Sequence, residues 1–240
     1  GDAAFDVGPK AAVQLALQQS PALVLVSDAR AQRFMRQMQR PIEERITGDT
    51  AREMCKRAGG RATIETTIAP SGAGYSISLD ARDCLTGKSM ASQTTTATGK
   101  TDVVAKLDAA IKALRKDLGE SAATRDKYNA DLTRAASANL VALQAYGLGL
   151  RARAFRRDDA AVPLFAQAAQ LDPSFGSASA KLAVVLSNVG DLAGARDQTV
   201  KAYALRDQMT EYERLYIAWN HAARVAADAA LVKSTLETLT

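Results

Sequence analysis

The chain has one histidine, His221, in 240 residues. A histidine-based metal cluster or a Ser–His–Asp triad therefore has almost nothing to be built from. No metal and no cofactor is expected. No apolar stretch approaches the roughly 20 residues that a membrane-spanning helix needs, so no span is expected within residues 1–240. The start, GDAAFDVG, is polar and lacks the basic end and apolar core of a secretory signal. It also lacks an initiator Met, and the chain reads as a fragment or a processed form. There is no basic arm and no acidic tail. Residues 1–120 hold 17 Lys/Arg against 14 Asp/Glu and residues 121–240 hold 14 against 12, so the net +5 is spread evenly and gives little reason to expect nucleic acid as a partner. Gly99–Lys100–Thr101 is not a phosphate loop, because the glycine required five residues earlier is Thr94. No convergent set of titratable groups is visible, which places a stand-alone enzyme behind a binding role.

What the chain does have is a 34-residue echo. Ala161, Ala195 and Ala229 are spaced by that period, as are Ala168 and Ala202, and Gly149 and Ala183. Leu148 recurs as Leu182 and then as Tyr216. A fixed period of small residues inside apolar helical patterns marks a stacked array of helical hairpins, and 34 is the tetratricopeptide (TPR) period. Small side chains let two antiparallel helices approach, and a large neighbour such as Phe165 fills the gap beside them. The first unit runs from about Leu143 to Pro173 and the second from about Ser177 to Arg206. A third starts near Glu211, and the chain ends inside its second helix. The period departs from the consensus at Ala145 and Ser179, where an aromatic is usual, and at Thr199 and Asp207.

The first half follows a different pattern. Residues 8–19 read as a helix ended by Pro21, and LVLVSD at 23–28 reads as a strand buried on both faces. A helix with Phe34, Met35 and Met38 follows, capped by Ser27 or Asp28. Thr50 opens a further helix that Gly59–Gly60 ends. Ala62, Ile64 and Ile68 alternate with polar residues, as do Tyr75, Ile77, Leu79 and Ala81, around a turn at 70–74. A Thr-rich strand at about 89–97 and a long amphipathic helix from Thr101 complete the order. The expectation is an α+β chain: an α/β sandwich with a small antiparallel or mixed sheet over residues 1–120, a polar connector over 121–140, and a TPR-like array over 141–240.

The strings FDVGPKAAVQLALQQSPALVLVSDARAQRFMRQM, TGDTAREMCKRAGGRATIETTIAPSGAGYSISLDARDCLTGK and AYALRDQMTEYERLYIAWNH resemble the region beyond the kinase domain of bacterial eukaryotic-like serine/threonine protein kinases. The resemblance covers nearly the whole chain. It implies a small α/β domain followed by TPR repeats, serving as a sensor or protein-interaction region. Related regions also stand behind winged-helix transcription regulators, which keeps a regulatory role in a transcription activator as the alternative. The Gly-rich loop, strand lysine, HRD-type loop and DFG-type metal site of a kinase are all missing here. For a Gram-negative cell the kinase resemblance implies an extracytoplasmic, periplasmic position, a cytoplasmic one being the alternative.

Few residues stand out as site candidates. Arg151, Arg153, Arg156 and Arg157 form a basic cluster, read either as a solvated helix end or as an anchor for an acidic peptide or phosphate. Glu43–Glu44 read as a solvated acidic patch, and His221 as a helix-surface or packing residue before a ligand contact. If Ile68 faces Ile77, Cys84 falls across from Arg61, one to two turns from Cys55, so the two sulfurs can approach; in the extracytoplasmic position that the kinase resemblance implies, a Cys55–Cys84 disulfide is feasible, two buried thiols being the other reading. Carrying TPR groove positions onto this register selects Tyr146, Leu150, Arg153, Val184, Asn188, Arg214 and His221. That mixture suits an extended, acidic peptide or a partner protein. The other use of that face is packing against the α/β part or against another copy of the chain.

Overall fold

A computed structural model of the protein describes residues 4–44 and 46–239. The described residues form a mixed α+β molecule with one three-stranded antiparallel sheet. Strands β1 (Ala62–Ser71), β2 (Gly74–Asp83) and β3 (Ser89–Ala97) pair in the order β1-β2-β3. Ile68 lies opposite Ile77, the register that the alternation of apolar residues sets. The turn is tighter than the five residues expected: Ser71 pairs with Gly74, leaving Gly72 and Ala73 as the loop. Gly72 has φ +59°, a conformation that glycine adopts without steric cost. Ile77, Leu79 and Ala81 on one face of β2 are fully buried. Helix α4 (Lys100–Asp117) packs over β2 and β3 through Val103, Val104, Leu107, Ile111 and Leu114, and α1 (Ala4–Leu17) packs beside it.

The run at 23–28 forms no strand, which corrects the expectation of a strand buried on both faces. The backbone of Val24, Leu25 and Val26 makes no hydrogen bond among the described residues, and Val24 is 92% exposed. Leu23 and Leu25 do dock on the main core. High β-propensity is not enough for a strand, because a strand exists only with a hydrogen-bonded neighbour. Beyond this segment, α2 (Asp28–Gln37) starts at Ser27, whose hydroxyl accepts from the Arg30 amide. α3 (Gly48–Arg57) is capped by Thr47, not opened by Thr50; the Thr50 hydroxyl is buried and accepts from Arg40 at 2.7 Å. Phe34, Met35 and Met54 form a small separate core between these two helices. A disulfide joins Cys55 of α3 to Cys84 just after β2, with Cα atoms 5.9 Å apart.

Residues 121–140, the expected connector, are partly helical and packed. They hold α5 (Ala122–Lys127) and a wide π-type turn at 133–137, and Leu132, Ala135 and Ala136 are buried. One hydrophobic core runs from the sheet through this segment into the helical half. That half consists of α6 (Leu140–Ala154), α7 (Asp158–Leu171), α8 (Gly176–Asn188), α9 (Leu192–Ala204), α10 (Glu211–His221) and α11 (Ala229–Leu239), each packed on its successor up to α10. No strand follows residue 97 among the described residues.

The 34-residue period maps onto equivalent places in the first two hairpins. Ala161 and Ala195 are the fourth residues of α7 and α9, and both are buried, as are Ala168 and Ala202. A Cβ on Gly149 would meet the Phe165 ring at 2.7 Å, so the glycine is what allows α6 and α7 to close. A reciprocal pair seals α1 against α6: a Cβ on Gly8 would lie 3.1 Å from the Leu140 carbonyl, and one on Gly147 would lie 3.1 Å from that of Val7. The equivalence fails in the third hairpin. A π-type turn at 222–226 intervenes, and Ala229 is the exposed first residue of α11.

Candidate functional site: a cleft beside the third hairpin

A cleft of about 400 Å³ opens where the end of α1, the α5 segment and the start of α10 meet. Gln19 lies at its edge and is 7% exposed. Its Nε2 donates to the Ala130 carbonyl at 3.2 Å, while Oε1 has no partner. That oxygen is enclosed by the protein, where an unpaired acceptor is costly. Lys127 holds its ammonium over the Tyr128 ring at 5.0 Å. The Tyr128 hydroxyl, and then the charge of Glu211, raise the Lys127 ammonium above its usual range. On the opposite wall Arg214 is exposed, with its Nη2 3.9 Å from Glu211.

Both walls are fixed by polar contacts. Arg115 of α4 grips Glu120 through two bonds of 2.6 and 3.0 Å, with the two side chains 2% and 5% exposed. Ser20, next to Gln19, donates to the same carboxylate, and Arg115 also donates to the Tyr128 carbonyl at 3.0 Å. This network ties the end of α1 to the α5 segment. Burial pushes the Glu120 carboxyl up, but the bonds from Arg115 and Ser20 outweigh it and hold the group below its ordinary value. The other wall starts at Thr210, which caps α10 by accepting from the Glu213 amide at 3.2 Å. The Glu213 carboxyl accepts from the hydroxyls of Thr210 and Ser177, so α10 is bonded to α8. Burial raises its pKa despite those bonds and the nearby Lys181.

The seven groove candidates do not form one surface. Tyr146 is 1% exposed and packs on Phe165 and Phe175, with ring centroids 5.6 and 4.8 Å away. Val184 is also buried, and half-buried Leu150 packs on the main core. These three side chains serve the interior, because the helix face assigned to the groove turns inward here. Arg153 and Asn188 converge on Asp158: the Asn188 amide donates at 2.7 Å and the Arg153 Nε stands 3.9 Å away. His221 stacks on Tyr203 at 3.9 Å and 17°. Only Arg214 of the set lines the cleft. Gln19 and Tyr128 were not singled out from the sequence, since neither lies in the 34-residue period and only the tertiary fold brings them to Arg214. Among the described residues no group of three His, Cys, Asp or Glu side chains could hold a metal ion, and no helix is long and apolar enough to cross a membrane. Comparison of the chain with family models, with curated proteins and with solved structures returns no match.

Proposed function

We propose that this chain is a non-catalytic interaction region that takes up an extended peptide segment of a partner protein in the cleft bounded by Gln19 and Arg214. The observation that carries the reading is the lining of that cleft, where the exposed cations Lys127 and Arg214 stand with the carboxylates Asp126, Asp207 and Glu211, acceptors that suit peptide N–H groups. Arg214 and Lys127 supply cations for a carboxylate on the same segment. The helical half is read as a TPR-type array on the strength of the 34-residue equivalences between its first two hairpins. Together with the sequence resemblance, this supports reading the chain as the sensor or interaction region of a bacterial membrane-bound serine/threonine protein kinase. The Cys55–Cys84 disulfide supports a position outside the cytoplasm.

The test is a peptide library selected on the immobilised protein, followed by calorimetric titration of the selected peptides. Lys127→Ala and Arg214→Ala are each expected to weaken binding about 10-fold or more, the worth of one hydrogen bond to a charged group. Unchanged affinity in both folded variants overturns the cleft as the site. A winged-helix domain encoded upstream of Gly1, in place of a kinase domain and a transmembrane helix, overturns the kinase assignment.

A further inference from the structure

A second cleft, of about 230 Å³, lies between α2 and the α6–α7 turn, on elements that do not line the first. Arg33 and Arg36 reach it from α2, and Arg156 from the turn more than a hundred residues later. All three are exposed, and none makes an ion pair among the described residues. None of the described residues lining the cleft bears a carboxylate; Ile42 and Phe155 give it an apolar side. Three arginines therefore line one cleft with no carboxylate on its lining, a setting that favours an incoming anion.

Arg156 adds an independent observation. Its φ is +57°, the left-handed region. One 34-residue period later the same turn position is Gly190, with φ +92°. Glycine is the residue that fits there without strain; the first hairpin instead carries an arginine that lines a basic cleft. The C-terminal dipoles of α2 and α6 favour cations near this place, yet the corresponding turn after α8 has none.

We propose that the Arg33–Arg36–Arg156 cleft binds an acidic segment of a partner protein, two or more carboxylates pairing with the guanidinium groups while a neighbouring apolar side chain rests on Ile42 and Phe155. Each carboxylate accepts two parallel N–H bonds from one arginine, the arrangement for which the planar guanidinium is suited. This site does not depend on the Gln19 cleft, and its variants leave that cleft intact.

The experiment titrates the whole chain with a short labelled peptide of Asp, Glu and Leu, using a Lys–Leu peptide as control and pyrophosphate as competitor. The acidic peptide is expected to bind, more weakly as salt is raised, and the control is not. Arg156→Gly and the double variant Arg33→Gln/Arg36→Gln are each expected to lose about 10-fold or more in affinity. Arg156→Gly is also expected to raise Tm by about 2–4 °C, since it relieves the left-handed strain, so its loss of binding cannot be put down to unfolding. Absence of binding by the acidic peptide, or binding by both variants undiminished from wild type, overturns the proposal. Displacement of the peptide by an equimolar amount of pyrophosphate also overturns it, because the occupant is then a phosphate and not a carboxylate-bearing segment.

Discussion

Glu120 is the residue on which the geometry of the Gln19 cleft most depends. Its carboxylate meets Arg115 and Ser20 in a nearly enclosed site, and Arg115 in turn reaches the Tyr128 carbonyl. Replacing one member leaves the other charge buried and alone. Glu120→Leu is expected to cost about 3–5 kcal/mol in urea unfolding; a loss below about 1 kcal/mol would mean that Arg115 finds solvent without difficulty. The pH dependence has a definite sign. The folded carboxyl titrates below its ordinary 4.5, so its contribution is full above that pH and fades as pH falls through the lower, folded value. The stability difference between wild type and Glu120→Leu should therefore be constant around neutrality and shrink below about pH 4.5. A gap that stays constant down to the acid transition would contradict the assignment.

The β-hairpin and the first two helical hairpins were legible because a pattern repeats in them. The alternation around Ile68 and Ile77 sets the hairpin register, and the spacing of Ala161, Ala168, Ala195 and Ala202 sets the phase of two helical hairpins. Gly149 shows what the period encodes, since its missing Cβ is the space that the Phe165 ring fills. Gly149→Ala is expected to destabilise the protein by about 1–3 kcal/mol despite its gain in helix propensity, because overpacking outweighs propensity. Thermal unfolding checks it, and a stabilised Gly149→Ala would show that α6 and α7 have room to spare. Elements defined by a partner were not legible in the same way. Leu23–Val26 has the composition of a strand but lacks a hydrogen-bonded neighbour. Ala229 keeps the period, yet the π-type turn before it shifts α11 out of phase. The groove set failed for a related reason. Tyr146 and Val184 sit at positions chosen by register, and the face they occupy is used up by packing. Gln19, Tyr128 and Arg214 come from three separate elements, and no spacing in the sequence relates them.

At the scale of the molecule, the two halves share one core. It runs from Ile77 and Leu79 of the sheet through Leu132 to Phe165 and Phe175. The α1–α6 glycine contacts lie along that junction, and the Arg115–Glu120 network reaches the cleft at the Tyr128 carbonyl. The Cys55–Cys84 disulfide closes a sequence separation of 29 residues between α3 and the end of β2. Its reduction is expected to cost roughly 3–4 kcal/mol by loop entropy; identical denaturation midpoints with and without reductant would show that the link contributes nothing. The central claim is that the Gln19–Arg214 cleft receives a peptide. Hydrogen exchange of the intact chain, with and without a peptide selected from the library, tests it most directly. The account predicts slowed exchange at residues 126–130 and 207–214 in the complex, with little change in the sheet. Protection confined to other segments, or none at saturating peptide, would contradict it.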